Sequence, residues 1–245
     1  AVVQSFSASV VNIGAGGEFN VMSGATFISS ALTLEKVVVL GGAFRYQVGT
    51  SSPTALIVGN ATIGNGSFAV SAAQTTVVPT LMFDGGSMIL ASVMNTTSFT
   101  WAAGSVSGSS SLNIASNMLV TTSSGSATHS WNGVQMLVQG SLVFSSVNPI
   151  YVTMINNASL VNAPSSTTSF LSSVQINDPT NSAVIQQLAG VLFAAPSVSI
   201  GAGFTVAETV NVNHTQGSVT LNGILNLAGN WSLDGTASTV CNGVT

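Results

Sequence analysis

The chain has 245 residues, a formal net charge of −4 and a mean hydropathy of +0.57, and only 3% of its residues are charged. Its two cations, Lys36 and Arg45, cannot neutralise a run of phosphates, which excludes a nucleic-acid binder. With 46% hydrophobic residues the composition also argues against intrinsic disorder, which needs low hydrophobicity or high charge.

A spanning helix needs roughly 20 consecutive apolar residues. The best runs, 37–40 and 188–193, are short and are broken by Gly, Ser, Asn or Thr, so no membrane span is predicted. A membrane β-barrel carries polar and charged groups in its lumen and loops, and charge is what this sequence lacks. The chain opens at Ala1 without a preceding Met and stops in mid-pattern at Cys241-Asn242-Gly243-Val244-Thr245. We therefore expect a segment of a longer chain.

Taken in chain order, apolar residues alternate with small polar ones in short stretches. Phe19 and Val21 come first, then Phe44, Tyr46 and Val48, then Phe68 and Val70. Met136 and Val138, Val210 and Val212, and Val219 and Leu221 follow. This period of two marks strands with one buried face. The Gly and Asn residues between them supply the positive-φ corners that tight turns need. A Gly-Ser step opens several stretches, at Gly66-Ser67, Gly86-Ser87, Gly104-Ser105, Gly125-Ser126, Gly140-Ser141 and Gly217-Ser218. Ala158-Ser159 and Gly229-Asn230 are degenerate copies.

The spacing of these steps is loose, at about 18 residues, and a repeat of that size built from short strands predicts an all-β, single-chain parallel β-helix. Stacked coils turn the same corner at the same angular position, which explains a recurring Gly-Ser signature. A β-sandwich or jelly roll, the alternative, has no such reason to repeat it. One continuous solenoid is expected over 1–245. A loop excursion is expected at 164–190, where Pro164 and the Ser/Thr run break the rhythm. Val184, Ile185 and Leu188 fall there at helical spacing and end at Gly190, predicting one or two helical turns against the rod.

This rung pattern resembles right-handed parallel β-helices, whose largest enzymatic group is the pectin-lyase-like superfamily, and also adhesin passengers of the surface type. The resemblance implies clustered Asp with Lys or Arg if the chain cleaves acidic polysaccharide. Asp84, Asp178 and Asp234 stand apart in sequence, and Lys36 lies beside Glu35, so neither geometry of glycoside hydrolysis has obvious players. His129 and His214 have no second His, Cys or carboxylate at ligand spacing and read as hydrogen-bonded or exposed strand residues. No catalytic residue, metal site or cofactor is predicted. A polysaccharide-active enzyme is the weaker reading, and so is an ice-binding protein, because the Thr positions lack regular Thr-x-Thr rows.

Asn-x-Ser/Thr sequons occur at Asn60, Asn65, Asn95, Asn157, Asn213 and Asn230. With 38 Ser, 25 Thr and 20 Asn, chance alone gives about five, so six is no enrichment. The case for covalent glycans rests instead on solubility, since an uncharged rod otherwise self-associates. Cys241, the single cysteine, reads as a small buried residue or as a half-cystine whose partner lies outside the chain. The resulting expectation is a non-enzymatic, extracellular or cell-surface structural protein, a segment or subunit of a filament or fibrous appendage. Its partner would be itself, end to end along the filament. The alternative is an adhesin-like module binding carbohydrate or a surface, with Trp101, Trp131 and Trp231 as the glycan-contact aromatics.

Overall fold

The computed structural model describes residues 3–6, 10–21, 25–28, 31–39, 43–47, 56–64, 66–71, 75–122 and 127–242, and the side chains of Val39, Phe44, 61–64, 66–70, 75–122 and 127–242. Among these residues there are strands, turns and bends and no helix. From Thr128 to Leu221 every strand pairs in parallel with the third strand after it. Thr128–Asn132, Gln135–Val138 and Ser141–Phe144 lie on three successive faces, and Ile150–Ile155 returns to the first, with Thr128 opposite Tyr151.

The same three faces continue upstream, where strands bend round corners without a break. Met94–Gly108 serves all three: 94–96 pairs with 112–114, 98–101 with 117–120, and 104–107 with 129–132. The fold is thus a three-faced parallel β-solenoid of about eight turns of roughly 21 residues. Strands ahead of residue 72 pair in the same parallel sense. The sandwich alternative falls, because it needs antiparallel neighbours.

The expected 18-residue coil is too short. Single steps run from 18 residues, Met94 to Leu112, to 26, Leu142 to Thr168. The physical reason lies in the Gly-Ser steps. Ser67, Ser87, Ser105 and Ser130 form one outward ladder on the first face, at one angular position. Ser141 belongs to the third face, opposite Thr167, and Ser159 to the second, opposite Gln135 and Val184. The 18-residue interval between those two spans part of a turn, and mixing faces shortened the apparent period. Gly86 shows why the step carries glycine at all. Its φ is +71°, and a Cβ there would lie 2.0 Å from the carbonyl oxygen of Gly66 in the turn before.

The stretch 164–190 is also regular, against the expected excursion. Thr167–Phe170, Val174–Asn177 and Val184–Gln187 take the third, first and second faces in turn. The helical spacing of Val184, Ile185 and Leu188 is incidental: Val184 faces outward, Ile185 inward between Leu160 and Phe204, and Leu188 follows the strand at a corner. Only the corner 178–183 is long, and Asp178 closes it. Its Oδ1 accepts hydrogen bonds from Thr180 N at 3.1 Å and Thr180 Oγ1 at 2.8 Å, and its Oδ2 from Ala183 N at 2.8 Å.

Inward side chains stack turn on turn into one continuous core. On the third face a single column holds Phe83, Trp101, Val120, Phe144, Phe170, Phe193, His214 and Leu233. Phe144, Phe170 and Phe193 stack with centroids 4.7 and 4.8 Å apart, close to the rise between parallel strands. Burying each such ring contributes roughly 1.5–3 kcal/mol.

Candidate functional site

The alternation that builds the core also decides which predicted residues can meet a ligand. Trp101 and Trp131 fall on the inward phase, in step with Phe99 and His129, and are 1% and 3% exposed. Their indole N–H groups donate to Ala103 O at 3.1 Å and Val134 O at 2.7 Å, which satisfies them at the corners. Both are core residues and cannot serve as glycan contacts. Trp231 is partly buried against the core, its ring 5.7 Å from that of Phe193, and its Nε1 has no hydrogen-bond partner among the described residues.

His129 is buried at 1% exposure on the first face, edge-on to Trp101 at 5.0 Å. Its two ring nitrogens face two carbonyl oxygens, Tyr151 O and Trp101 O, each at 3.2 Å. A neutral imidazole donates to one of them only. Burial pushes the imidazole below its ordinary value of 6.5, while the carbonyls of Tyr151, Trp101 and Thr121 pull it back. His214 is equally buried, with Nε2 3.0 Å from Gln216 O and Nδ1 3.0 Å from Thr239 Oγ1. Both histidines are structural core residues.

A polar knot sits inside the corner between the second and third faces. Asn162, Thr168 and Gln187 are 0% exposed and Ser166 4%. Asn162 Nδ2 donates to Gln187 Oε1 at 3.1 Å and also to Thr168 Oγ1, Thr168 Oγ1 donates to Gln187 Oε1 at 2.9 Å, and Ser166 Oγ donates to Asn162 Oδ1. Gln187 Nε2 alone is unpartnered. These four side chains bond one another across two turns and fix the register at that corner.

Outside, the charged groups stay apart: Asp84 is half-buried, and Glu208 and Asp234 are exposed on other turns. Among the described residues no three His, Cys, Asp or Glu side chains come together to hold a metal. Glu18 and Lys36 are opposite in register, but their side chains and that of Glu35 lie outside the described ones. The sequon asparagines Asn95, Asn157, Asn213 and Asn230 are all exposed, whereas Asn65 and the side chain of Asn60 lie outside the described residues. Asn95 Oδ1 accepts from Asn113 Nδ2 at 2.9 Å, Asn213 Oδ1 accepts from Ser232 Oγ at 2.9 Å, and Asn230 Nδ2 donates to Asn211 Oδ1 at 3.4 Å, so three of the four sit in outward ladders. Cys241 is a free, partly buried thiol packed against the core in the last strand.

Among the described residues, two recesses on the outer surface stand out. The larger, about 530 Å³, is lined by the long corner 178–183 and by the short corners at Gly201 and Gly223. Its one charged group, Asp178, is occupied in closing its own turn. The smaller, about 200 Å³, lies on the first face beside Tyr151, which is 38% exposed. Sequence reasoning passed over Tyr151, although the alternation Ile150, Tyr151, Val152, Thr153, Met154 puts it on the outward phase.

No protein-family model, curated protein or solved structure matches this chain. Among the described residues no helix is long and apolar enough to cross a membrane.

Proposed function

We propose that the chain is a non-enzymatic structural protein of the extracellular or cell-surface kind, a segment or subunit of a filament, and that its kinship is with surface β-helices rather than with polysaccharide-cleaving ones. The observation that carries this is the surface. Outward columns from turn to turn are neutral ladders, such as Ser67, Ser87, Ser105 and Ser130, while among the described residues the apolar core runs on from Val39 to Leu225. Such a body gains length by adding turns, and among the described side chains it presents nothing along its sides that organises charge chemistry. The parallel stacking itself supports end-to-end association, because a parallel strand edge templates further strands. The exposed sequons support N-linked glycans as the hydrating coat. The test is electron microscopy of material from the native source, with glycopeptide mass spectrometry on the same sample. Continuous filaments carrying sugar at Asn157 or its fellow sequons are the expected result, and discrete bare particles would sink the proposal.

A second reading, a carbohydrate- or surface-binding module, is favoured by one observation, the exposed Tyr151 ring beside a recess.

A further inference from the structure

The recess on the first face is a step. The outward column there runs Tyr151, Gln175, Ser199, so a large ring gives way to an amide and then to a hydroxyl. The neighbouring outward positions are Pro149, Ser173 and Ser197. One wall is therefore an aromatic ring and a proline, and the floor is a row of hydroxyls with one amide. The Tyr151 hydroxyl and the Ser173 and Ser197 hydroxyls make no hydrogen bond to protein among the described residues. Ser199 Oγ accepts only a long bond of 3.4 Å from Asn222 Nδ2, and Gln175 Nε2 is engaged with Asn177 Oδ1 at 3.1 Å.

A ligand suited to this step needs an apolar face for the ring, several hydroxyls for the floor, no charge, and a volume that fits about 200 Å³. No charged side chain lines the recess, so an acidic sugar or a phosphate would find no counter-charge. A neutral hexose ring has all four properties, since its axial C–H face is apolar and its rim is hydroxyl. We propose that Tyr151, with Gln175, Ser197 and Ser199, forms a binding site for one neutral hexose unit of a glycan. The ring stacks on Tyr151, and its hydroxyls bond the Gln175 amide and the two serines. This deepens the carbohydrate-binding reading and rests on it, independently of whether the chain builds filaments.

The test uses the full chain against an array of neutral gluco-, manno- and galacto-oligosaccharides beside acidic ones, with saturation-transfer difference NMR on those that bind. Binding to at least one neutral class is expected. Tyr151→Ala should weaken it about tenfold or more, equivalent to roughly 1.4 kcal/mol of lost ring contact, whereas Tyr151→Phe keeps it. Ser197→Phe, at an exposed position on the floor, should block it by filling the step and serves as the second variant if Tyr151→Ala folds poorly. No binding to any neutral class, preference for acidic sugars, or binding indifferent to both changes would overturn the site. Loss of binding with filaments intact counts against the site alone, and the reverse result counts against the structural reading alone.

Discussion

The middle turns and the last turn are built from the same pattern yet are buried differently. In Thr167–Phe170 and Gly190–Phe193 the inward positions are covered from both sides, and Phe170 and Phe193 are 1% and 0% exposed. In Leu225–Leu227, Asn230–Leu233 and Ser238–Cys241 the alternation continues, but Leu227 and Leu233, at inward positions, are 40% and 58% exposed. The difference teaches that a solenoid turn does not bury itself. A four-residue strand offers two inward side chains, and their burial is the work of the turns above and below.

The largest expected effect sharpens that contrast. Phe170→Ala removes a ring stacked on both sides and should cost about 3–5 kcal/mol in denaturant unfolding. Leu233→Ala, three turns further along the same column and open on one side, should cost about 1 kcal/mol or less.

Glycines divide the same way. Gly86→Ala meets both a positive φ and the Gly66 carbonyl, and should destabilise by about 2–3 kcal/mol. Gly235→Ala, at φ +60° with nothing within 4 Å, carries the conformational cost alone, about 1 kcal/mol. Equal losses at the two sites would break the comparison.

Gln187→Leu strands its partners Asn162 and Thr168 in the core and should cost about 1–3 kcal/mol. Replacing all three with apolar residues of similar volume should restore most of that loss, as measured by the unfolding midpoint.

The smallest effect is in pH. His129 has its imidazole lowered by burial, and the strands packed on it, Met94–Gly108 and Ile150–Ile155, carry no carboxylate and no cation. Its contribution to stability is full above the unfolded value of 6.5, declines as pH falls through 6.5 toward the lowered folded value, and is level below that. Unfolding at pH 7.5 and pH 5 should show the loss on acidification, and His129→Phe should reduce it.

Much of the fold was legible because alternation and corner glycines are local signals. Phe68 and Val70, or Val219 and Leu221, announce an inward phase without reference to anything distant. The coil length was not legible, since Ser141 and Ser159 carry the same local signature on different faces, and only pairing tells faces apart. The Ser/Thr run at 165–169 misled for a related reason. Thr168 is acceptable in the core solely because Asn162 and Gln187, from other strands, meet its hydroxyl. For the candidate site, the phase of Trp101, Trp131 and Tyr151 was readable from their neighbours. The step beneath Tyr151 was not, because Gln175 and Ser199 reach it from 24 and 48 residues away.

Each inner turn is covered by its neighbours, and the filament reading proposed above expects copies of the chain to cover one another in the same way. Sedimentation velocity on the purified chain across rising concentration tests this, with Leu233→Lys measured beside it. Growth into elongated species by the parent chain, and a monomer for the lysine variant at every concentration, is the predicted result. A parent chain that stays monomeric throughout, or a lysine variant that assembles equally well, would contradict it.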